Sequence, residues 1–256
     1  MSEPLPKTPS FRLTGRRALI TGAGRGIGRA CAAALADAGA EVVLVARTHG
    51  EVEQVADDIR SQGGKAQAHK LDVTDVGAVI AFMEAQEPFE ILVNNAGTNR
   101  PKSIFDVEAE DYDAVFQLNV RSLVLLTRQC AIRLRDAGKA GSFIHIGSQM
   151  GHVGGPERTL YCASKWAVEG FNKALALDLA PYGIRTNTIA PTFIETPLTR
   201  PYFEDAAFRE GVLHKIKLGR LGQVEDIMGA VVYLASNASS LVTGTSLIVD
   251  GGWTAD

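Results

Sequence analysis

Thr21-Gly-Ala-Gly-Arg-Gly-Ile-Gly28 follows the apolar run Arg17–Thr21 and opens an alanine-rich helical pattern over Gly28–Ala38. Its glycines follow the spacing Gly22-x-x-x-Gly26-x-Gly28, with Gly24 also inside the turn. Glycine lets the backbone turn tightly and approach a ligand closely, and a helix N-terminus presents free N–H groups to an anion. A glycine-rich turn between a strand and a helix, early in a βαβ series, favours binding of a dinucleotide through its pyrophosphate.

Outward from this turn, short β-branched runs alternate with longer helical patterns, as a parallel sheet covered by helices requires. Strands are expected at Arg17–Thr21, Glu41–Ala46, Lys65–Leu71, Ile91–Asn94, Ser142–Gly147, Arg185–Ile189 and Ser246–Val249. Apolar residues recur with helical period over Gly28–Ala38, Glu51–Ser61, Tyr112–Ala137, Tyr161–Leu179 and Val224–Ala235. Gly39, Gly138 and Gly183 follow three of these runs, where helix stops are expected. No linker or repeat divides the chain, so residues 1–256 read as one domain. The stretch 190–224, with three prolines and no clear strand, reads as an insertion over the substrate site.

Bulk properties narrow the function classes. The 256 residues carry a formal charge of −3 with both signs scattered, so no basic face points to nucleic acid. No stretch approaches the ~20 apolar residues of a membrane span, and Met1–Ser10 lacks the apolar core of a signal peptide. Cys31, Cys130 and Cys162 are odd in number and widely spaced, which fits neither disulfides nor a metal cluster and suggests the cytoplasm. Cys162 adjoins Tyr161, but no histidine lies near it in sequence to activate it, so it reads as an inert thiol.

Tyr161 and Lys165 lie four apart and share a helix face, with Ser148 thirteen residues before the tyrosine. A free phenol, with a pKa near ~10, is a poor proton donor at neutral pH, and a neighbouring cation lowers that pKa. The phenol then becomes usable as a general acid or base, and a serine hydroxyl can bond the oxygen whose charge changes.

With these residues in place the chain resembles a classical short-chain dehydrogenase/reductase over nearly its whole length. The resemblance rests on Thr21–Gly28, on Asn-Asn-Ala-Gly at Asn94–Gly97, on Asn119 in Leu-Asn-Val, and on Ser148, Tyr161 and Lys165 in order. It implies an α/β fold: a Rossmann-like, doubly wound three-layer α/β/α sandwich of about seven parallel strands, with NAD(P)(H) across their carboxyl ends. Tyr161 would then transfer the proton, Lys165 would tune it and hold the nicotinamide ribose, and Ser148 would polarise the carbonyl. Asn119 would support a water leading protons away from Lys165. Gly22, Arg25, Gly26, Ile27 and Gly28 would cradle the phosphates, with Asn94, Ala96 and Gly97 alongside. Asp72 and Val73 match the pair that meets the adenine, although an aspartate here also reads as a helix cap, for which Asp75 is the better candidate. Pro191, Ile194 and Thr196 match the stretch beside the nicotinamide, with Thr192 where the family usually has glycine.

NAD-preferring relatives place an acidic residue at the end of the second strand. This chain has Ala46 there, then Arg47, with Arg25 in the glycine turn. Two guanidinium groups and no carboxylate favour NADP(H) and leave NAD(H) as the second cofactor. Arg100, Arg158, Gln149 and His152 are candidates for an anionic or polyhydroxylated substrate, beside Ser148; solvated loop charges are the competing reading. His145, inside a strand, reads as structural.

The expected reaction interconverts a secondary alcohol and a ketone. The chain is similar to sugar-acid dehydrogenases of the gluconate 5-dehydrogenase kind and to 3-oxoacyl-[acyl-carrier-protein] reductases, and the arginines favour the former. A nucleotide-sensing protein without turnover is the alternative of another class. The family also implies a homotetramer.

Overall fold

The computed structural model describes residues 5–255. The first four residues of the proline-rich start therefore lie outside the described residues. Seven strands run β1 (Arg17–Thr21), β2 (Glu41–Ala46), β3 (Lys65–Lys70), β4 (Ile91–Asn94), β5 (Gly141–Ile146), β6 (Ile184–Pro191) and β7 (Ser246–Val249). All pair in parallel in the order β3-β2-β1-β4-β5-β6-β7. The order reverses between β1 and β4, the place where a doubly wound sheet opens a crevice.

Parallel strands are buried on both faces, and the side-chain period of two divides each strand between two cores. Ala18, Ile20, Val42 and Leu44 enter one apolar cluster, while Leu19, Val43 and Val45 enter the other. The first cluster lies under α1 (Gly26–Asp37), α2 (His49–Ser61) and a late helix, Glu225–Ala235. The second packs against α3 (Val76–Glu84) and α5 (Ser122–Asp136). A third, smaller cluster joins Met150, Val212, Ile216, Leu221 and Trp253 beneath the segment after β6.

Three local features differ from the sequence reading. The helix α3 was not expected, although its cap was: Asp75 Oδ1 accepts the Ala78 N–H at 3.0 Å. The single helix expected over Tyr112–Ala137 is α4 (Ala109–Phe116) and α5, joined by a π-helical turn at Gln117–Arg121. The stretch 190–224 begins inside β6, which continues to Pro191, and contains α7 (Ala206–Lys215). The expected helix stops hold, since Gly39, Gly138 and Gly183 all have positive φ. The two remaining helices are α6 (Thr159–Leu179) and α8 (Glu225–Ala235).

Candidate active site

A cavity of about 860 Å³ runs along the carboxyl ends of the strands, from the glycine turn to the residues around Tyr161. The turn is built for close approach. Gly22 and Gly26 have φ of +62° and +55°, and a Cβ on Gly28 would stand 2.3 Å from the Gly22 carbonyl oxygen. Arg25 precedes α1 without a side-chain hydrogen bond to the helix start, so the first N–H groups have no side-chain cap. Such a backbone cradle, opening on the cavity with Arg25, Gly26 and Ile27 along its wall, fits a dinucleotide pyrophosphate. Thr21 Oγ1 accepts the N–H groups of Asn95 and Ala96, each at 3.0 Å, and so locks β1 to β4 at the crevice.

Ala46, Arg47, Asp72 and Val73 line the glycine-turn end of the cavity, where the family resemblance puts the adenosine. Burial pushes the Asp72 carboxyl up, but the Thr74 N–H and hydroxyl, with the Arg47 charge, hold it below the usual range. Asp72 thus closes a turn on Thr74 and faces the cavity at once. One expectation fails: the corner does contain a second carboxylate. Glu51, in the first turn of α2, lines it, and its Oε2 stands 2.8 Å from where a Gly24 Cβ would be. No local motif announces it, because helical periodicity alone brings it there.

At the other end, Ser148, Tyr161 and Lys165 share the cavity wall. Ser148, 5% exposed, follows β5, accepts the Met150 N–H at 3.1 Å and donates to Gln149 Oε1 at 2.8 Å. Lys165 Nζ donates to the Ile146 carbonyl at 2.8 Å and lies 5.6 Å from the centre of the Tyr161 ring. Burial pulls the Lys165 ammonium down to about 8, against the opposing charge of Glu169. The Tyr161 phenol was expected to be lowered. Burial instead pushes it up, with the Ser148 hydroxyl and Arg158 pulling the other way. From the protein's own groups alone, the phenol therefore holds its proton firmly.

Asn119 sits in the π turn and does not line the cavity itself. Its Oδ1 accepts the Thr98 N–H at 2.8 Å, and its Nδ2 donates to the Thr98 carbonyl and to Ser164 Oγ. Widened turns recur at functional sites because they re-aim a side chain. Here the turn places an amide between the loop after β4 and the helix of Tyr161.

Ala96, Gly97, Pro191, Ile194, Thr196, Gln149, Arg100 and Arg158 also line the cavity. Besides Asn119, three expected site residues do not. Gly28 acts by packing against Gly22. Asn94 donates to Thr127 Oγ1 at 2.8 Å and to His145 Nδ1 at 3.0 Å, which puts it in the core. His145 then donates from Nε2 to Thr186, whose hydroxyl donates to Asn172, and burial pulls the imidazole down to about 3, so it stays neutral. His152 lies 2.9 Å from Ser246 Oγ and 3.6 Å from the Glu169 carboxylate. Arg100 reaches the cavity already paired with a carboxylate: it and Lys102 share Asp111, whose carboxyl they pull down to about 2.

Tyr202 also lines this cavity, and sequence reasoning missed Asn99 and Thr192 as unpaired groups in it. The Oδ1 of Asn99 and the Oγ1 of Thr192 are buried with no hydrogen-bond partner. Cys162 is held up by burial, in keeping with an inert thiol. Among the described residues no cluster could hold a metal ion, and no helix is long and apolar enough to cross a membrane.

A glycine cradle, a serine, a buried phenol and a buried ammonium along one crevice define a nucleotide-dependent oxidoreductase site. Comparison with known proteins agrees. The family model described as Enoyl-(Acyl carrier protein) reductase matches residues 22–254. Gluconate 5-dehydrogenase of Gluconobacter oxydans (strain 621H) is 37% identical over 95% of this chain and 96% of its own. D-erythrulose reductase of Gallus gallus is 34% identical over 96% of this chain and 98% of its own. The crystal structure of a gluconate 5-dehydrogenase from Burkholderia cenocepacia J2315, in complex with NADP and tartrate, superposes with a TM-score of 0.93. It is 38% identical and the match covers 96% of this chain and 98% of that one. The chain belongs to the short-chain dehydrogenase/reductase family, oxidoreductases that act on CH–OH groups.

Proposed function

We propose that this protein is an NADP(H)-dependent oxidoreductase that interconverts a secondary alcohol and a ketone on a small polyhydroxylated substrate, of the sugar-acid or polyol kind. The observation that carries the reading is the single cavity joining Arg25 and Arg47 at one end to Ser148, Tyr161 and Lys165 at the other. A bound nicotinamide supplies or accepts the hydride. The chain's own residues do the rest.

In the reducing direction a substrate oxygen beside Tyr161 and Ser148 takes the phenolic proton. The raised phenol pKa keeps that proton in place until charge develops on the oxygen. Ser148 supplies a second hydroxyl to the same region. Lys165 faces the tyrosine ring with one N–H committed to Ile146, which leaves two for the cavity. Its ammonium, whose pKa burial pulls down to about 8, stabilises the phenolate left behind. Asn119, bonded to the Thr98 backbone, holds the loop after β4 against the helix of Tyr161. In oxidation the same groups work in reverse, with the phenolate as base.

The segment after β6, which brings Thr192, Ile194, Thr196 and Tyr202 to the cavity, covers the substrate in this reading. A homotetramer follows the family, and Tyr112, Trp166 and Leu177, all exposed apolar residues on α4 and α6, suit subunit contacts. Cytoplasmic residence suits three cysteines none of which is bridged.

The test is purified protein with NADP+, NAD+ and their reduced forms against aldonates, alditols, ketoses and acetoacetyl thioesters. Turnover of a hydroxy acid or polyol, at least tenfold more efficient with the phosphorylated cofactor, supports the reading. Equal efficiency with both cofactors overturns the cofactor assignment. Turnover of the thioester alone would make the protein an acyl-carrier reductase, and cofactor binding without any turnover would make it a sensor.

A further inference from the structure

One buried guanidinium of the cavity has no carboxylate partner among the described residues. Arg158 is 8% exposed, lines the cavity beside Ser148, Gln149 and Tyr161, and among the described residues pairs with no carboxylate. The only hydrogen bond of its side chain among the described residues is a 3.3 Å contact from Nη1 to the carbonyl of its neighbour Glu157. Its guanidinium lies 5.9 Å from the centre of the Tyr202 ring. An isolated charge removed from water is expensive, and buried arginines are ordinarily matched by a carboxylate.

The backbone is arranged to hold it there. Glu157 is the one non-glycine residue among those described with positive φ, at +56°. Its carbonyl accepts the Lys102 N–H at 3.1 Å as well, which fixes the turn from outside. The Arg158 stem passes over Gly155, where a Cβ would stand 3.6 Å from Arg158 Cγ and 2.9 Å from Met150 Cε. Backbone strain of this kind persists where the surroundings enforce it, and it clusters at ligand sites.

Arg100 provides the contrast. It reaches the same cavity but is about half exposed and already paired with Asp111. Arg158 is therefore the buried guanidinium left for the substrate, and its charge already reaches Tyr161. Two further groups want partners nearby: Asn99 Oδ1, an acceptor, and Thr192 Oγ1, both buried and unbonded in the same cavity. Buried polar atoms of this kind are nearly always satisfied, and hydroxyl groups would satisfy both.

We propose that Arg158 binds the carboxylate of the substrate, and that the substrate is a hydroxy or keto acid whose hydroxyls meet Asn99 and Thr192. This rests on the oxidoreductase reading above and narrows it, excluding neutral ketoses and alditols as preferred substrates. A carboxylate matches the planar guanidinium through two parallel hydrogen bonds, which an uncharged hydroxyl terminus cannot reproduce.

The test uses the full chain with NADP+ and aldonates of four to six carbons, each paired with the alditol of the same length. The wild type should favour the acid by a hundredfold or more in kcat/KM. Arg158→Met should lose that preference, falling at least thirtyfold more on the acid than on the alditol. Arg158→Lys should recover part of it, mostly through KM. Titration of NADPH serves as a folding control and should change less than about threefold in both variants. As a readout besides turnover, tartrate should raise the melting temperature of the wild-type NADPH complex and not that of Arg158→Met.

Equal losses on acid and alditol in Arg158→Met, or wild-type turnover of alditols as efficient as that of acids, would overturn the assignment of Arg158 while leaving the oxidoreductase reading intact. No turnover in either arm would bring down both.

Discussion

Lys165 Nζ donates a 2.8 Å hydrogen bond to the carbonyl of Ile146, the last residue of the strand that leads into Ser148. The bond ties α6, which carries Tyr161, to β5, which positions the serine. The two hydroxyls of the proposed reaction are thus held in register by a residue that also supplies the charge. The consequences can be measured.

Tyr161→Phe removes the proton donor and leaves the ring that packs beside Lys165. Turnover should fall by roughly 10²–10⁴-fold. NADPH binding, followed by fluorescence titration, should stay within about threefold of the wild type. Near-native turnover would exclude Tyr161 as the acid.

Lys165→Met should separate activity from stability. Burial lowers the lysine from 10.5 to about 8, so the unfolded chain holds more protons between those values and wild-type stability rises with pH through that window. At pH 7 the penalty on the wild type is ~3 kcal/mol at most, reduced by the bond to Ile146. The variant should be inactive yet more resistant to urea at pH 7, and its advantage should shrink from pH 8 upward. A pH-independent difference would contradict the buried cation. In Lys165→Ala, any residual oxidation should show its acidic limb displaced to higher pH, because the phenolate has lost its stabilising charge.

Asn94→Leu tests the core role of this amide. It leaves His145 Nδ1 and Thr127 without their donor, at a cost of ~2–3 kcal/mol. Chemical denaturation should show that loss, while KM for NADPH changes little in the protein that remains folded.

Gly28→Ala places a Cβ 2.3 Å from the Gly22 carbonyl, a separation at which backbone must move. The cradle is displaced with it. NADPH affinity should drop at least tenfold by calorimetry, and a drop smaller than twofold would show that the turn is not the phosphate site.

The adenosine corner carries opposing charges. Arg47→Ala should weaken NADPH binding about tenfold and leave NADH nearly unchanged. Glu51→Gln should do the reverse, tightening NADPH about threefold, because its carboxylate shares the corner with Arg47. Parallel titrations with both cofactors decide each case.

The sheet was readable because β-strands in a parallel sheet are mostly apolar runs, and all seven expected spans agree with the structure within two residues at each end. The largest departure is β6, which runs two residues further, to Pro191. The helix α3 escaped notice because Val76–Glu84 is apolar on most of its surface and shows little of the one-sided pattern that marks an amphipathic helix. Motif residues such as Tyr161, Lys165 and Gly22 are legible from spacing. Glu51 is not, and neither is the lack of partners at Asn99 and Thr192, because nothing local shows what tertiary packing brings to a cavity wall. The same limit explains Asn94 and His152. Their residue types suggest a site, and only the fold shows that their hydrogen bonds are made elsewhere.

The π turn at Gln117–Arg121 has an effect beyond placing Asn119. One extra residue in a helix of 3.6 residues per turn advances everything downstream by about 100° around the axis. Ala109–Phe116 and Ser122–Asp136 therefore obey two different phases within one nearly continuous rod. The first half is angled to serve the crevice, and the second to lay Leu126, Cys130 and Leu134 on the sheet. A single-residue deletion here would not shorten the helix so much as rotate its second half out of the core, making this the point in the chain where length, more than residue type, is constrained.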